Sequence, residues 1–268
     1  MWDSGAGCTN AMQRLDSSSS EGDFMKSAIN IHRYPHLSRN PASLAPDPAI
    51  TTEPVIQVFG ARCTGWRGYI SLHTWIAVKP AAARTYTIYE VTPETLKRRG
   101  TCVAIRRRLP DALWYGVAPR LLAERRGDDV AALIERINKT VKEYRYAGKY
   151  LMWPGPNSNT FIAHLARAVP ELELELPTIA VGKDYVGRRF IGTAPSGCGV
   201  QLSLFGLLGI VVSRVEGIEI NVLGLNCGIN PFTLCLKLPL IGHLGVPRAI
   251  GGSAHQPESE QEAPEPAE

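Results

Sequence analysis

Four short runs rich in β-branched and aromatic residues, VIQVFGA from Val55, GYISLHTWIAVK from Gly68, RTYTIYEV from Arg84 and CVAIRRRL from Cys102, follow one another across short breaks of Gly, Pro and Ala. Such runs favour strands. Parallel neighbours need a crossover of about a dozen residues or more, so the close spacing predicts a small antiparallel sheet.

The period then changes. Val130, Leu133, Ile134, Ile137 and Val141 recur at helical spacing behind a candidate cap at Asp128, which predicts the first main helix. Pro119 to Arg125 reads as a shorter helix before it. After the aromatic stretch YRYAGKYLMW and the breakers PGPNSN, TFIAHLARAV predicts the second main helix, ended by Pro170. ELELELP alternates strictly and reads as an exposed strand with its acids in water. From Val200 to Leu240, VQLSLFGLLGIVV, GIEINVLGL and FTLCLKLPL read as further strands punctuated by Gly and Pro.

These elements predict an α+β fold, an antiparallel sheet packed by two main helices, with a Gly-rich β extension at the C-terminal end. Residues 1–53, with the serine run Ser17 to Ser20, are expected to form a disordered arm, residues 54–245 a single domain, and residues 246–268 a disordered acidic Pro/Glu tail. The 29 basic and 25 acidic residues give a net charge of +4. Five of the acids lie after Pro257, so residues 1–256 carry +9. That charge permits an anionic partner without requiring one.

The six cysteines, at 8, 63, 102, 198, 227 and 235, form no CxxC pair and follow no secretory signal, so free thiols are expected. The longest nearly apolar run, Val200 to Val212, is far shorter than the about 20 residues of a membrane-spanning helix. A soluble, cytoplasmic protein is expected.

Candidate chemistry centres on WPGPNSNTF, where Asn157, Ser158 and Asn159 open the second helix. The backbone N–H groups of a helix start favour an anion, so a nucleophile there is helped to ionise and to hold an oxyanion. The alternative is that Asn157 or Ser158 only caps the helix. His73, on the run SLHTWIAVK, is a candidate general base. If Lys79 and Arg84 close a hairpin, Glu90 falls directly opposite His73 and orients its ring, as the third member of a triad does. In the plainer reading His73 and Glu90 are ordinary sheet neighbours. Tyr150 and Trp153 are candidates to wall a cleft beside Ser158, or to pack on the sheet.

The blocks QVFGARCTGWRGYISLHTWIAVK, YRYAGKYLMWPGPNSNTF, GKDY and PSGCGVQLSLFGLLG resemble, over Pro54 to Gly245, a bacterial family that carries only a domain-of-unknown-function label. More distantly, the order of His73 on a strand and Asn157-Ser158-Asn159-Thr160-Phe161 at a helix start is similar to that of circularly permuted papain-like proteins, the cell-wall peptidase and lecithin–retinol acyltransferase-like group. That likeness implies a nucleophile at Ser158, His73 as base and polarising amides at Asn157 and Asn159. Ser158 stands where that superfamily has Cys, and a hydroxyl ionises far less readily than a thiol.

Other candidates are weaker. Asn226-Cys227 is not followed by a helix-forming run, His164 lies off the Ser158 face, and His32 and His36 are separated by Pro35. No metal site and no cofactor are expected. The runs LKRRG and IRRRL lack a nucleic-acid module around them, so nucleic acid is not an expected partner. Two readings remain open. One is an amide or ester hydrolase, or an acyl-transferring enzyme, using Ser158, His73 and Glu90. The other is a non-catalytic binding or structural module for a small molecule, peptide, glycan or lipid fragment.

Overall fold

Five strands between Val55 and Arg126 build the first layer of the computed structural model, which describes residues 37–41 and 44–245, with side chains over 44–245. The strands β2 (Val55–Arg62), β3 (Leu72–Lys79), β4 (Thr87–Val91), β5 (Val103–Arg107) and β7 (Arg120–Arg126) pair antiparallel in the order β5-β4-β3-β2-β7. A short pair, β1 (Leu37–Pro41) and β6 (Ala112–Trp114), forms a separate ribbon. Two short helices, α1 (Arg67–Ile70) and α2 (Pro93–Arg99), connect strands. The second carries a full set of end signals: Thr92 accepts from Thr95 N–H, Pro93 opens it, and Gly100 closes it at φ +71°. LKRRG is its last turn, where basic charge suits the helix dipole.

Alternation along the strands divides the sheet faces. Ile56, Val58, Leu72, Ile76, Val78, Tyr89 and Val91 face the main helices α3 (Val130–Lys142) and α4 (Ser158–Ala168) and form the larger core with Leu133, Ile137, Phe161 and Leu165. Val55, Phe59, Ala61, Trp75, Ala77 and Ile88 occupy the other face, under Trp114, Val117 and Leu121.

The Gly-rich extension is a seven-stranded antiparallel meander, β8 (Ile191–Thr193), β9 (Gly199–Leu204), β10 (Leu208–Ser213), β11 (Gly217–Val222), β12 (Leu225–Asn230), β13 (Cys235–Leu238) and β14 (Gly242–Leu244), paired in chain order. Its polarity is inverted. Gln201, Ser203, Glu219, Asn221, Asn226 and Lys237 point inward and are buried, whereas Val200, Leu202, Ile210, Val212, Ile218 and Ile220 are exposed.

Three expectations are corrected. Pro119 to Arg125 is no helix: Arg120–Arg126 is the edge strand β7, because its Leu121 and Ala123 complete the two sheet faces. ELELELP is no exposed strand. Pro170–Leu172 is a 3-10 turn and 173–176 has no ladder partner; Leu172, Leu174 and Leu176 enter the core and Glu175 reaches Lys237 at 2.5 Å. The N-cap of α3 is Asp129, one residue after the expected Asp128.

Within the stretch expected as an N-terminal arm, 37–41 pairs with β6, and the N–H groups of Leu44 and Ala45 donate to Asp111. Lys79 donates to the Thr51 and Glu53 carbonyls. His32, His36, Cys8 and the acidic tail lie outside the described residues.

Candidate functional site

The Pro-Gly-Pro turn, whose Trp153–Pro154 and Gly155–Pro156 bonds are both cis, leads into α4 with Asn157 at the N-cap. Asn157 Oδ1 accepts from the N–H groups of Asn159 and Thr160, and its Nδ2 donates to the Met152 and Val181 carbonyls, each at 2.9 Å. Asn159 Nδ2 donates to the Leu72 and Val181 carbonyls, while its Oδ1 accepts from Thr74. Both amide groups therefore spend all their hydrogens on backbone carbonyls and offer none to an oxyanion. They staple α4 to β3 and to the loop at 181. Gly182 fits that staple, since a Cβ there would stand 2.5 Å from the Asn157 amide.

His73 and Ser158 are not brought together. Thr74 points to α4 through Asn159, so its neighbour His73 points to the opposite sheet face. There the ring stacks on Trp114 at 4.7 Å and 6°, and Nε2–H donates to Glu90 Oε2 at 3.2 Å. Ser158 is buried on the helix side. The Ser–His pair expected from the papain-like order is thus corrected by strand alternation.

His73 and Glu90 do meet, though by a different register. Ile76 pairs with Tyr89, which sets Glu90 diagonal to His73 rather than opposite it. A two-residue shift preserves the face, so the contact survives. Arg106 Nε lies 2.7 Å from Glu90 Oε1, and the Arg108 guanidinium lies over Trp75. Burial pushes the Glu90 carboxyl up, but the His73 hydrogen bond and the Arg108 and Arg106 charges outweigh it and hold it at about 2. Two arginines of IRRRL thus serve a buried carboxylate. The cluster is a sealed ion-pair network with both His73 and Glu90 at most 5% exposed.

Trp153 is half exposed and donates through Nε1 to the Leu223 carbonyl, tying the turn to the meander. Tyr150 packs on the larger core, and burial pushes its hydroxyl up. His164 leans on Tyr144, and Asn226 donates to Asp184, which explains the Asn226-Cys227 pair structurally. Among the described residues no three His, Cys, Asp or Glu side chains are grouped to hold a metal ion.

An open cleft of about 530 Å3 lies at the end of the five-stranded sheet, on the helix side. Arg62, Arg120, Thr178 and His243 supply its polar side chains and Leu72, Leu122, Ile179, Leu240 and Ile241 most of its apolar wall. Burial pushes the His243 imidazole down, against the opposing pull of Glu175. Neither Ser158 nor His73 lines this cleft. Sequence reading missed it because its two arginines lie about sixty residues apart, on strands β2 and β7 whose adjacency only the sheet order reveals.

Sequence reading also missed a buried ion cluster. Lys183 Nζ meets Glu219 at 2.5 Å, and Lys237 meets Glu219 at 2.9 Å and Glu175 at 2.5 Å. Burial opposes the Lys183 charge, but Glu219 and Asp184 hold its ammonium above the ordinary lysine value. Asp184 accepts from Asn221 at 2.6 Å and Asn226 at 2.9 Å. The available signal was a Glu and an Asn alternating with apolar residues in GIEINV and a single Lys between leucines in CLKL.

Residues 53–185 match the model of a family described as Protein of unknown function (DUF3750). Over these residues the chain belongs to the DUF3750 family. The DUF3750 stretch contains the five-stranded sheet, both main helices and the Asn157 staple, and it ends just after Lys183 and Asp184. No curated protein and no solved structure matches the chain.

Proposed function

We propose that this DUF3750 protein is a non-catalytic binding module whose cleft takes an anionic ligand with an apolar chain, of the fatty-acid or alkyl-phosphate kind. The observation that carries the reading is the joining of two arginines to an aliphatic wall in one cleft. Its volume falls within the range of about 300–1,000 Å3 used for small ligands. Arg62 and Arg120 pair with a carboxylate or phosphate head, and Leu72, Leu122 and Ile179 cover the chain. A hydrolase reading needs a base facing Ser158, and His73 lies on the other sheet face.

Titration of the full chain with decanoate and decyl phosphate, followed by calorimetry, tests this. Binding is expected, and Arg120→Ala should weaken it at least about tenfold, equivalent to about 1.4 kcal/mol. Equal affinity for uncharged decanol, or an unchanged constant for the variant, would remove the charge-based reading. A second check uses a broad serine-reactive phosphonate probe: no adduct is expected at Ser158, and an adduct that depends on His73 would restore the hydrolase.

A further inference from the structure

Along β9, β10, β11 and β12, every outward position except Cys227 is Val, Leu or Ile, and none is charged. Ile210 and Ile220 sit opposite each other at the centre, with 44% and 47% of their surface exposed. The opposite face of the same strands carries buried polar groups, of which Glu219 meets Lys183 and Asn221 and Asn226 donate to Asp184. An antiparallel sheet with one solvated face normally puts its polar side in water. Here the side with no hydrogen-bonding side chain except a thiol is the open one.

We propose that this aliphatic face is a dimer interface, covered by the same face of a second copy of the chain. Over all seven strands, where the outer positions continue as Ile191 on β8, Leu236 and Leu238 on β13 and Leu244 on β14, strand spacing and rise give a projected area of about 550 Å2, so that face-to-face pairing buries upwards of about 1,100 Å2 in total, enough for a specific interface. An uncharged aliphatic face meets its own copy with no repulsion, as an isologous two-fold contact requires. The two sheets would stack about 10 Å apart, as in a β-sandwich.

Two other occupants fit less well. Unlike partners dock through Tyr, Trp and Arg anchors and several hydrogen bonds, none of which the centre of this face offers. A bilayer interior tolerates no open sheet edges, and β8 and β14 are the two edges of this sheet among the described residues.

Sedimentation of the full chain should give twice the mass of one chain, with dissociation on dilution. Ile210→Lys and Ile220→Lys place an unpaired charge in the seam twice per dimer and should weaken association at least about a hundredfold. A wild-type chain that stays monomeric at high concentration overturns the proposal, as does a folded Ile210→Lys variant that still dimerises. Should the lysine variants misfold, the unmodified chain supplies its own probe. Cys227 faces the seam, so its alkylation, mapped by mass spectrometry, should slow as concentration rises; a rate independent of concentration contradicts the dimer. Monomers that float with neutral phosphatidylcholine vesicles would transfer the face to a lipid surface and also overturn it.

Discussion

Replacing Glu90 with Gln is expected to destabilise the fold by about 3–5 kcal/mol, the cost of removing one member of a buried ion pair while leaving its partners behind. Glu90 is 3% exposed and holds Arg106 and His73 directly, with Arg108 close by. At this chain length such a loss corresponds to a fall of about 6–20 °C in melting temperature. The same group makes stability depend on acid. Its carboxyl titrates at about 2 in the fold against an ordinary 4.5, so its contribution is fully present above the ordinary value and is lost as pH falls through about 2. Melting curves taken across that window should decline for the wild type, and the Glu90-specific part of the decline should vanish in Glu90→Gln. An unchanged acid profile would show that the Glu90 carboxylate is not held by these charges.

Asn157→Ala is expected to cost about 2–4 kcal/mol, combining a lost N-cap with the Met152 carbonyl left without its donor and the buried Val181 carbonyl left with Asn159 alone. Asn157→Ser separates the two parts. Serine retains an oxygen for the Thr160 N–H but cannot reach both carbonyls, so its cost should fall between wild type and alanine in urea unfolding. If alanine and serine are equally mild, the amide is only a surface cap, and the bridge to residue 181 contributes nothing.

Much of the α+β architecture was legible because its signals are local. Period-2 runs marked β2 to β5, the spacing of Val130 to Val141 marked α3, and Asn157 with Pro170 bracketed α4. The errors arose where burial depends on distant partners. RLLAERR has helical residues, but β2 needed an edge neighbour, and the sheet context overrode propensity. ELELELP has strand alternation but gained no ladder, since Lys237 drew Glu175, arginines drew Glu171 and Glu173, and the core drew the leucines. At the candidate site, the His73–Glu90 contact was legible to the correct face and not to the correct register. The separation of His73 from Ser158 was already implicit in strand alternation once Thr74 is known to face α4, and that assignment required the tertiary structure. The cleft arginines had no local signature at all.

The ion cluster around Lys183 also bears on how the chain can be cut or recombined. Lys183 and Asp184 fall inside the matched stretch 53–185, while Glu219, Lys237, Asn221 and Asn226 all lie beyond it. A fragment ending at residue 185 would leave Lys183 without Glu219 and Asp184 without Asn221 and Asn226, and a graft of the meander alone would strand those partners. For this protein the smallest exchangeable piece therefore extends well past the family boundary, and any shuffling of the first layer between relatives has to carry its own meander with it.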